Sequence, residues 1–300
     1  MPISVKILAD SVAPCGKRLI TREWTYPRSI HSEVKTHRAL STNSASSRAI
    51  PVEKLIQRVV DDPFIPEHIG KNQKGMQADV EISDNLKEEA VKIWLQGCDE
   101  AVKTARQLLT LGIHKQVVNR VIEPYMWMTT IVSATENSNL WGLRDHPMAE
   151  PHFQKLARMD REAVNNSTPR VLKAGEWHLP LIDFNNEIDC SLSIEDMIKV
   201  SVGRCARVSY LTHDGRRDPK EDIRLHNDLV VQEPLHASPA EHVAQAMDMP
   251  DWWEATFYEC PEFRHLDGLK MPELERHYME ISKIDTSEVD ECSPVGLQNI

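Results

Sequence analysis

The sequence predicts an α+β fold, and three observations predict it. Short apolar pieces near the N-terminus read as strands. A long central stretch repeats its apolar residues at helical spacing. Segments bearing Pro and Gly separate the two kinds, with no internal repeat and no low-complexity run.

Val5-Lys6-Ile7-Leu8 and Trp24-Thr25-Tyr26 read as strands. Pro51 to Val60 reads as a short helix, because Val52, Leu55, Ile56 and Val59 recur at helical spacing. Residues 61–82 hold Pro63, Pro66 and Gly70 and read as loop. The strongest helix follows: Leu86, Ala90, Trp94, Ala101, Ala105 and Leu108 mark one face, Asn85 with Glu88 resembles a capping box, and Gly112 offers a stop. A second helix carries Val117, Val118, Val121 and Ile122 until Pro124 kinks or ends it. Tyr125 to Ala134 is apolar enough for a helix or a buried strand, and periodicity does not decide. A further helix starts near Pro147 and carries Phe153, Leu156 and Ala157, after which residues 163–192 read as mixed and loop-like. Ser193 with Asp196 opens a helix through Ile194, Met197, Ile198 and Val202. A short helix near Asp222 to Leu229 and a last strand around Trp252, Trp253, Phe257 and Tyr258 precede a tail.

The chain has 300 residues, 41% hydrophobic and 27% charged, enough to bury a core as one large domain or two small ones. Its net charge of -11 argues against a general polyanion surface, so nucleic acid is not an expected partner and any phosphate site must be local. No apolar run approaches membrane-spanning length. The six cysteines have irregular spacing and no CxxC, and they read as reduced thiols of an intracellular, cytoplasmic protein.

Against that acidic background Thr36-His37-Arg38-Ala39-Leu40-Ser41-Thr42-Asn43-Ser44-Ala45-Ser46-Ser47-Arg48 stands out, with two arginines, six hydroxyls and no carboxylate. Guanidinium forks and hydroxyls match phosphate oxygens, while the plain reading of such a strip is a solvated Ser/Thr loop. Arg120 in Asn119-Arg120-Val121-Ile122-Glu123-Pro124, and Asn139 and Arg144 in Asn139-Leu140-Trp141-Gly142-Leu143-Arg144, sit on otherwise apolar segments, where a polar group either pairs, binds a ligand or snorkels to solvent. His236-Ala237-Ser238-Pro239-Ala240-Glu241-His242 gathers two imidazoles and a carboxylate, but without HExxH spacing it predicts no metal. GxGxxG, GxxxxGK[ST] and GxSxG are absent and glycine is scarce, so side chains would have to hold any nucleotide.

These segments together resemble the flavin-dependent thymidylate synthases. The family signature RHR-xx-S-x-N-E-x-S-x-R reads here THR-AL-S-T-N-S-A-S-S-R, with His37, Arg38, Ser41, Asn43, Ser46 and Arg48 in register. Arg120 to Pro124 is similar to its R-x-x-L-P stretch, with Glu123 in place of the leucine, and Asn139 to Arg144 matches its N-x-x-x-L-R element. The family's AARVS strand and H-x-T-P-F-E-H turn resemble Ala206-Arg207-Val208-Ser209-Tyr210 and His236 to His242, but here they follow the signature instead of preceding it. The chain therefore resembles a circularly permuted member. Thr36, Ser44 and Glu33 depart from the family's arginine, glutamate and glutamine.

The resemblance implies a mixed fold of helices and antiparallel sheet in permuted order, forming a single catalytic domain over residues 1–300 with a core to about 270 and a tail over 271–300. It implies reductive methylation of dUMP to dTMP with reduced FAD, and with methylenetetrahydrofolate and NADPH as co-substrates, in a homotetramer. A cytosine nucleotide such as dCMP, a hydroxymethyl product, or a non-catalytic nucleotide-binding relative are the alternatives. By the same resemblance Glu33, Ser44, Ser46, Arg48, Arg120 and Arg144 face the substrate, with Arg144 catalytic at the pyrimidine edge. Thr36, His37, Arg38, Asn139, His236 and Ser238 face the flavin, His236 near the folate as well.

Overall fold

The computed structural model describes residues 2–76, 78, 80–210, 218–231 and 236–247, and the backbone of 269–270. The expected strand at Trp252, Trp253, Phe257 and Tyr258, the pair His213-Asp214, Cys260, Cys292 and the tail lie outside the described residues.

The fold is α+β, with a five-stranded, mostly antiparallel sheet at its centre. Strand β1 (Ser4–Val12) pairs antiparallel with β2 (Arg18–Pro27), and both extend well beyond the apolar pieces that announce them. A 3-10 turn and the single-turn helix α1 (His31–Val34) lead into β3 (Ser41–Ser44). The donor strip is thus a strand at its centre rather than wholly loop. It is held against β4 (Trp127–Ala134) in the register Ser41↔Ser133, Asn43↔Ile131 and Ser44↔Thr130. Paired hydroxyl residues supply the cross-strand contacts that apolar side chains usually provide.

Helices α2 (Val52–Asp61) and α3 (Asp84–Thr110) form a second layer with α4 (Lys115–Val118) and a 3-10 turn over Asn119–Tyr125. Pro124 has no N–H to donate, so this segment tightens to 3-10 geometry instead of continuing as the expected helix. The Asn85–Glu88 capping box does not form: Ser83 is the N-cap without a side-chain bond, and Asn85 lies inside the first turn. The buried face of α3 is set by Cys98, Val102 and Ala105, while Leu86 is 52% exposed. Residues 127–134 resolve as strand, because β4 is flanked by β2 and β3 and nearly every side chain on it is buried.

Helix α5 (Ser138–Arg144) has no counterpart among the sequence-predicted elements. Helix α6 (Pro151–Asn166) begins four residues after Pro147, with Pro151 at its first turn and the Glu150 carboxylate accepting from Phe153 N–H. Residues 163–192 hold the end of α6, the two-residue strands β5 (Arg170–Val171) and β6 (Trp177–His178), and α7 (Glu187–Cys190). Strand β5 adds to β1 in parallel, giving the sheet order β3-β4-β2-β1-β5.

Helix α8 (Ile194–Ala206) has the expected cap, Ser193 Oγ accepting from Asp196 N–H at 3.2 Å. Ala206 closes α8 and Arg207–Tyr210 is a 3-10 turn, where the resemblance implied a strand. Helix α9 (Pro219–His226) starts three residues before Asp222 and continues as a π turn over Asn227–Val231. The backbones of α8 and α9 meet at Gly203, where an added Cβ would stand 2.2 Å from Asp222 O, so only glycine permits the crossing. Strands β7 (Ala244–Ala246) and β8 (Leu269–Lys270) complete a small sheet with β6. Cys15, Cys98, Cys190 and Cys205 are free thiols. No helix among the described residues is long and apolar enough to cross a membrane.

Candidate functional site

The site is built along one edge of the sheet, where β3 brings the donor strip against β4. Three groups of side chains gather there.

The first group surrounds Arg144, in the last turn of α5. Leu140 is buried, Trp141 Nε1 donates to Asp160 Oδ2 at 2.9 Å, and the N-cap residue Asn137 accepts from the buried Arg22 through Oδ1 at 2.8 Å. These tertiary bonds hold a helix too short to persist alone. The Arg144 guanidinium lies 4.7 Å above the Phe153 ring. It donates from Nε to His37 Nε2 at 2.9 Å, from Nη1 to Glu33 Oε2 at 3.1 Å and from Nη2 to Thr36 Oγ1 at 3.3 Å. Four residues predicted from the sequence therefore meet at one point. A guanidinium carries five N–H donors, and three are engaged among the described residues, which leaves two to meet a ligand.

His37 is buried edge-on to Phe153, with ring centroids 5.6 Å apart. Burial, reinforced by the Arg144 charge, lowers its pKa to about 4, so the ring is neutral near pH 7. Because Nε2 accepts from Arg144, the ring proton resides on Nδ1.

The second group joins the strip to the chain's distal segments. Asn43 Nδ2 donates to Cys205 O at 2.9 Å, and Asn43 Oδ1 accepts from Ser209 Oγ at 3.4 Å and Ser238 Oγ at 3.5 Å. Ser46 N–H donates to Ser209 O at 3.1 Å, and Ser44 Oγ accepts from Thr130 Oγ1 at 3.0 Å. Lys35 Nζ donates to Thr42 Oγ1 beside Glu241, whose pKa is raised by burial against the opposing effects of Ser41 and Lys35. The late segments 206–210 and 236–242 are thus packed on the early donor strip.

The third group surrounds Glu123. Arg120 Nη1 and Ser47 Oγ both donate to Glu123 Oε1 at 2.9 Å, and Arg28 Nη2 reaches the same oxygen at 3.4 Å. Arg28 went unnoticed in the sequence, as did the roles of Ser47, Thr130 and Ser209. Each acts through a partner far along the chain, and no local spacing announces such a pairing.

Arg38, Arg48, Asn139 and His236 are exposed. Among the described residues neither Arg38 nor Arg48 has an ion-pair partner, and no hydrogen bond or ion pair joins the Arg144 group to the Glu123 group. An open groove of about 510 Å³ lies elsewhere, between α2 and α3, and includes none of the predicted residues.

No family model matches this chain, and no curated protein matches it. Among solved structures it is similar to the UMP/dUMP methylase PolB from Streptomyces cacaoi bound with 5-Br dUMP, at 13% identity and a TM-score of 0.44, covering 54% of this chain and 89% of that one. It is also similar to thymidylate synthase X from Helicobacter pylori with FAD and dUMP, at 18% identity and a TM-score of 0.35, covering 49% of this chain and 67% of that one.

Proposed function

We propose that the protein is a pyrimidine-nucleotide methylase that converts dUMP to dTMP by reductive methylation. The observation that carries the reading is the Arg144 cluster: a guanidinium with two spare N–H groups, held by Glu33, Thr36 and His37 over Phe153.

The substrate must gain a carbon at C5 of the base. C5 is nucleophilic only when the ring carries extra electron density, shared over N3 and O2, and a fixed guanidinium at that edge stabilises this anionic form of the base. Arg144 fills that role with its orientation set in advance. The neutral His37 fixes Nε without competing for the developing anion. Arg48, Arg120 and Ser46 are assigned to the nucleotide phosphate, and Ser44 to the nucleotide beside them. Ser46 is not assigned as a nucleophile, because no base contacts its hydroxyl.

The donor chemistry suits a flavin dinucleotide. Arg38 is an exposed cation free for a phosphate, Asn139 and His236 are exposed polar groups, and Ser238 turns its hydroxyl toward Asn43. Thr36, His37, Arg38, Asn139, His236 and Ser238 are the residues that would hold FAD. When bound and reduced it supplies the hydride, with methylenetetrahydrofolate as the carbon source and NADPH as the reductant. The protein's part is binding, orientation and electrostatics. We assign the chain to a homo-oligomer, a tetramer by the family resemblance.

A second reading is kept because Glu33 engages Arg144 through Oε2 alone. Its Oε1, which has no hydrogen bond among the described residues, can accept from an exocyclic amino group, as on dCMP. Purified protein supplied with FAD, methylenetetrahydrofolate and NADPH decides between them: dUMP gains the mass of one CH2 unit, its C5 hydrogen replaced by a methyl group, under the first reading, and dCMP gains a carbon under the second. Protein that takes up no FAD and alters neither nucleotide refutes both.

A further inference from the structure

We propose that Glu123 is a tethered occupant of an anion site built by Arg28, Arg120 and Ser47, and that a phosphate dianion binds there by displacing it. The assignment of that phosphate to a nucleotide rests on the function proposed above.

Three donors converge on one oxygen, Arg28 and Ser47 from distant segments and Arg120 from the turn that carries Glu123 itself. Ser47 and Arg120 each stand 2.9 Å from Glu123 Oε1 and Arg28 stands 3.4 Å from it, while Oε2 has no hydrogen bond among the described residues. A carboxylate paired for structure tends to offer both oxygens to one guanidinium fork. Donors focused on a single point instead suit an oxygen of a compact anion. Two guanidinium groups face one carboxylate, which leaves a surplus positive charge. The site is reachable, since the Arg120 side chain is 51% exposed and those of Arg28 and Glu123 are each 19% exposed. Ser47 also lies between Ser46 and Arg48, and Arg48 has no ion-pair partner among the described residues.

A phosphate dianion has more oxygens and twice the charge of the carboxylate it replaces. It can hold all three donors and recruit Arg48 as well. Glu123 leaves by side-chain rotation, which costs little next to unfolding the segment. Glu123 thereby sets the threshold for anion binding and selects a doubly charged phosphomonoester over singly charged anions.

The test is calorimetric titration of the full chain with inorganic phosphate. Glu123→Gln keeps the shape and one acceptor but removes the charge, and it is expected to bind phosphate roughly tenfold tighter than the unaltered protein. Adding Arg28→Met to it is expected to abolish the gain. Unchanged or weaker binding by folded E123Q overturns the proposal. If E123Q does not fold, Glu123→Asp, which withdraws the charge by one methylene, is expected to give a smaller gain, and no gain overturns the proposal equally. A gain in E123Q without any nucleotide methylation leaves this anion site standing and removes the methylase reading. Methylation of dUMP without a gain in E123Q does the reverse.

Discussion

Two sets of arginines behave differently in this molecule. In the interior, Arg22 is fully buried against Asp160, and Arg204 is buried against both Asp189 and Asp222. Asp160 also accepts from Trp24 and Trp141, so one carboxylate ties β2, α5 and α6 together. At the site, Arg144 spends three of its N–H groups on Glu33, Thr36 and His37, while Arg38 and Arg48 spend none on an ion pair among the described residues. A guanidinium matched to buried carboxylates holds the fold, and one left with spare donors near solvent is available to a ligand. Arg22 is an instructive intermediate: its Nε and Nη2 are buried without partners, it lies 5.5 Å from the Trp24 ring centroid, and burial lowers its pKa.

The sharpest way to break this contrast is to remove a carboxylate from the interior. Asp160→Ala leaves Arg22 buried and unpaired and is expected to cost about 3–5 kcal/mol of stability, read from urea unfolding. A cost under about 1 kcal/mol would place Asp160 with ordinary surface ion pairs. Arg144→Met is expected to remove about 3–4 kcal/mol of transition-state stabilisation, a hundred- to thousandfold in kcat/KM for dUMP, with the circular dichroism spectrum unchanged.

Acid should act on the interior next. Ser11, His178, Thr21, Ser133 and His242 form a buried chain of hydrogen bonds of 2.6–2.8 Å, and burial lowers the pKa of both histidines to about 3. The unfolded chain takes up these protons as pH falls through about 6.5, whereas the native chain does not until about 3. Their contribution is therefore complete above about pH 6.5 and is lost as pH falls below it, by up to about 1.4 kcal/mol per pH unit for each histidine. Urea midpoints compared at about pH 7 and about pH 5 should show the fall, and equal midpoints would contradict it. Gly203→Ala forces α8 from α9 and is expected to cost about 1–3 kcal/mol by the same assay. The smallest stability effect belongs to the site: Arg48→Met should leave stability within about 0.5 kcal/mol while weakening dUMP binding in a titration.

These contrasts also explain what could be read in advance. The flanking strands and α2 carried clear apolar patterns, and Ser193 capped α8 as its spacing implied. Residues 127–134 were ambiguous because a strand buried on both faces has no alternation to detect. Strand β3 was hidden because Ser and Thr composition suggests loop, and only pairing with Ser133 and Thr130 makes it a strand. Helix α5 has no side-chain cap and depends on Trp141 and Asn137 finding Asp160 and Arg22. At the site, the motif pointed to Glu33, Thr36, His37 and Arg144 as separate contacts, but their mutual bonds were not legible. Nor was the meeting of Arg28 with Glu123, 95 residues apart. Long-range pairing of this kind leaves no mark in local spacing.

The most direct measurement is tritium release from dUMP labelled at C5, the hydrogen that methylation must replace. With FAD, methylenetetrahydrofolate and NADPH present, the unaltered protein is predicted to release tritium, and Arg144→Met to release it at least about a hundredfold more slowly. Folded, FAD-loaded protein that releases none, or R144M that releases it at an undiminished rate, would contradict the account.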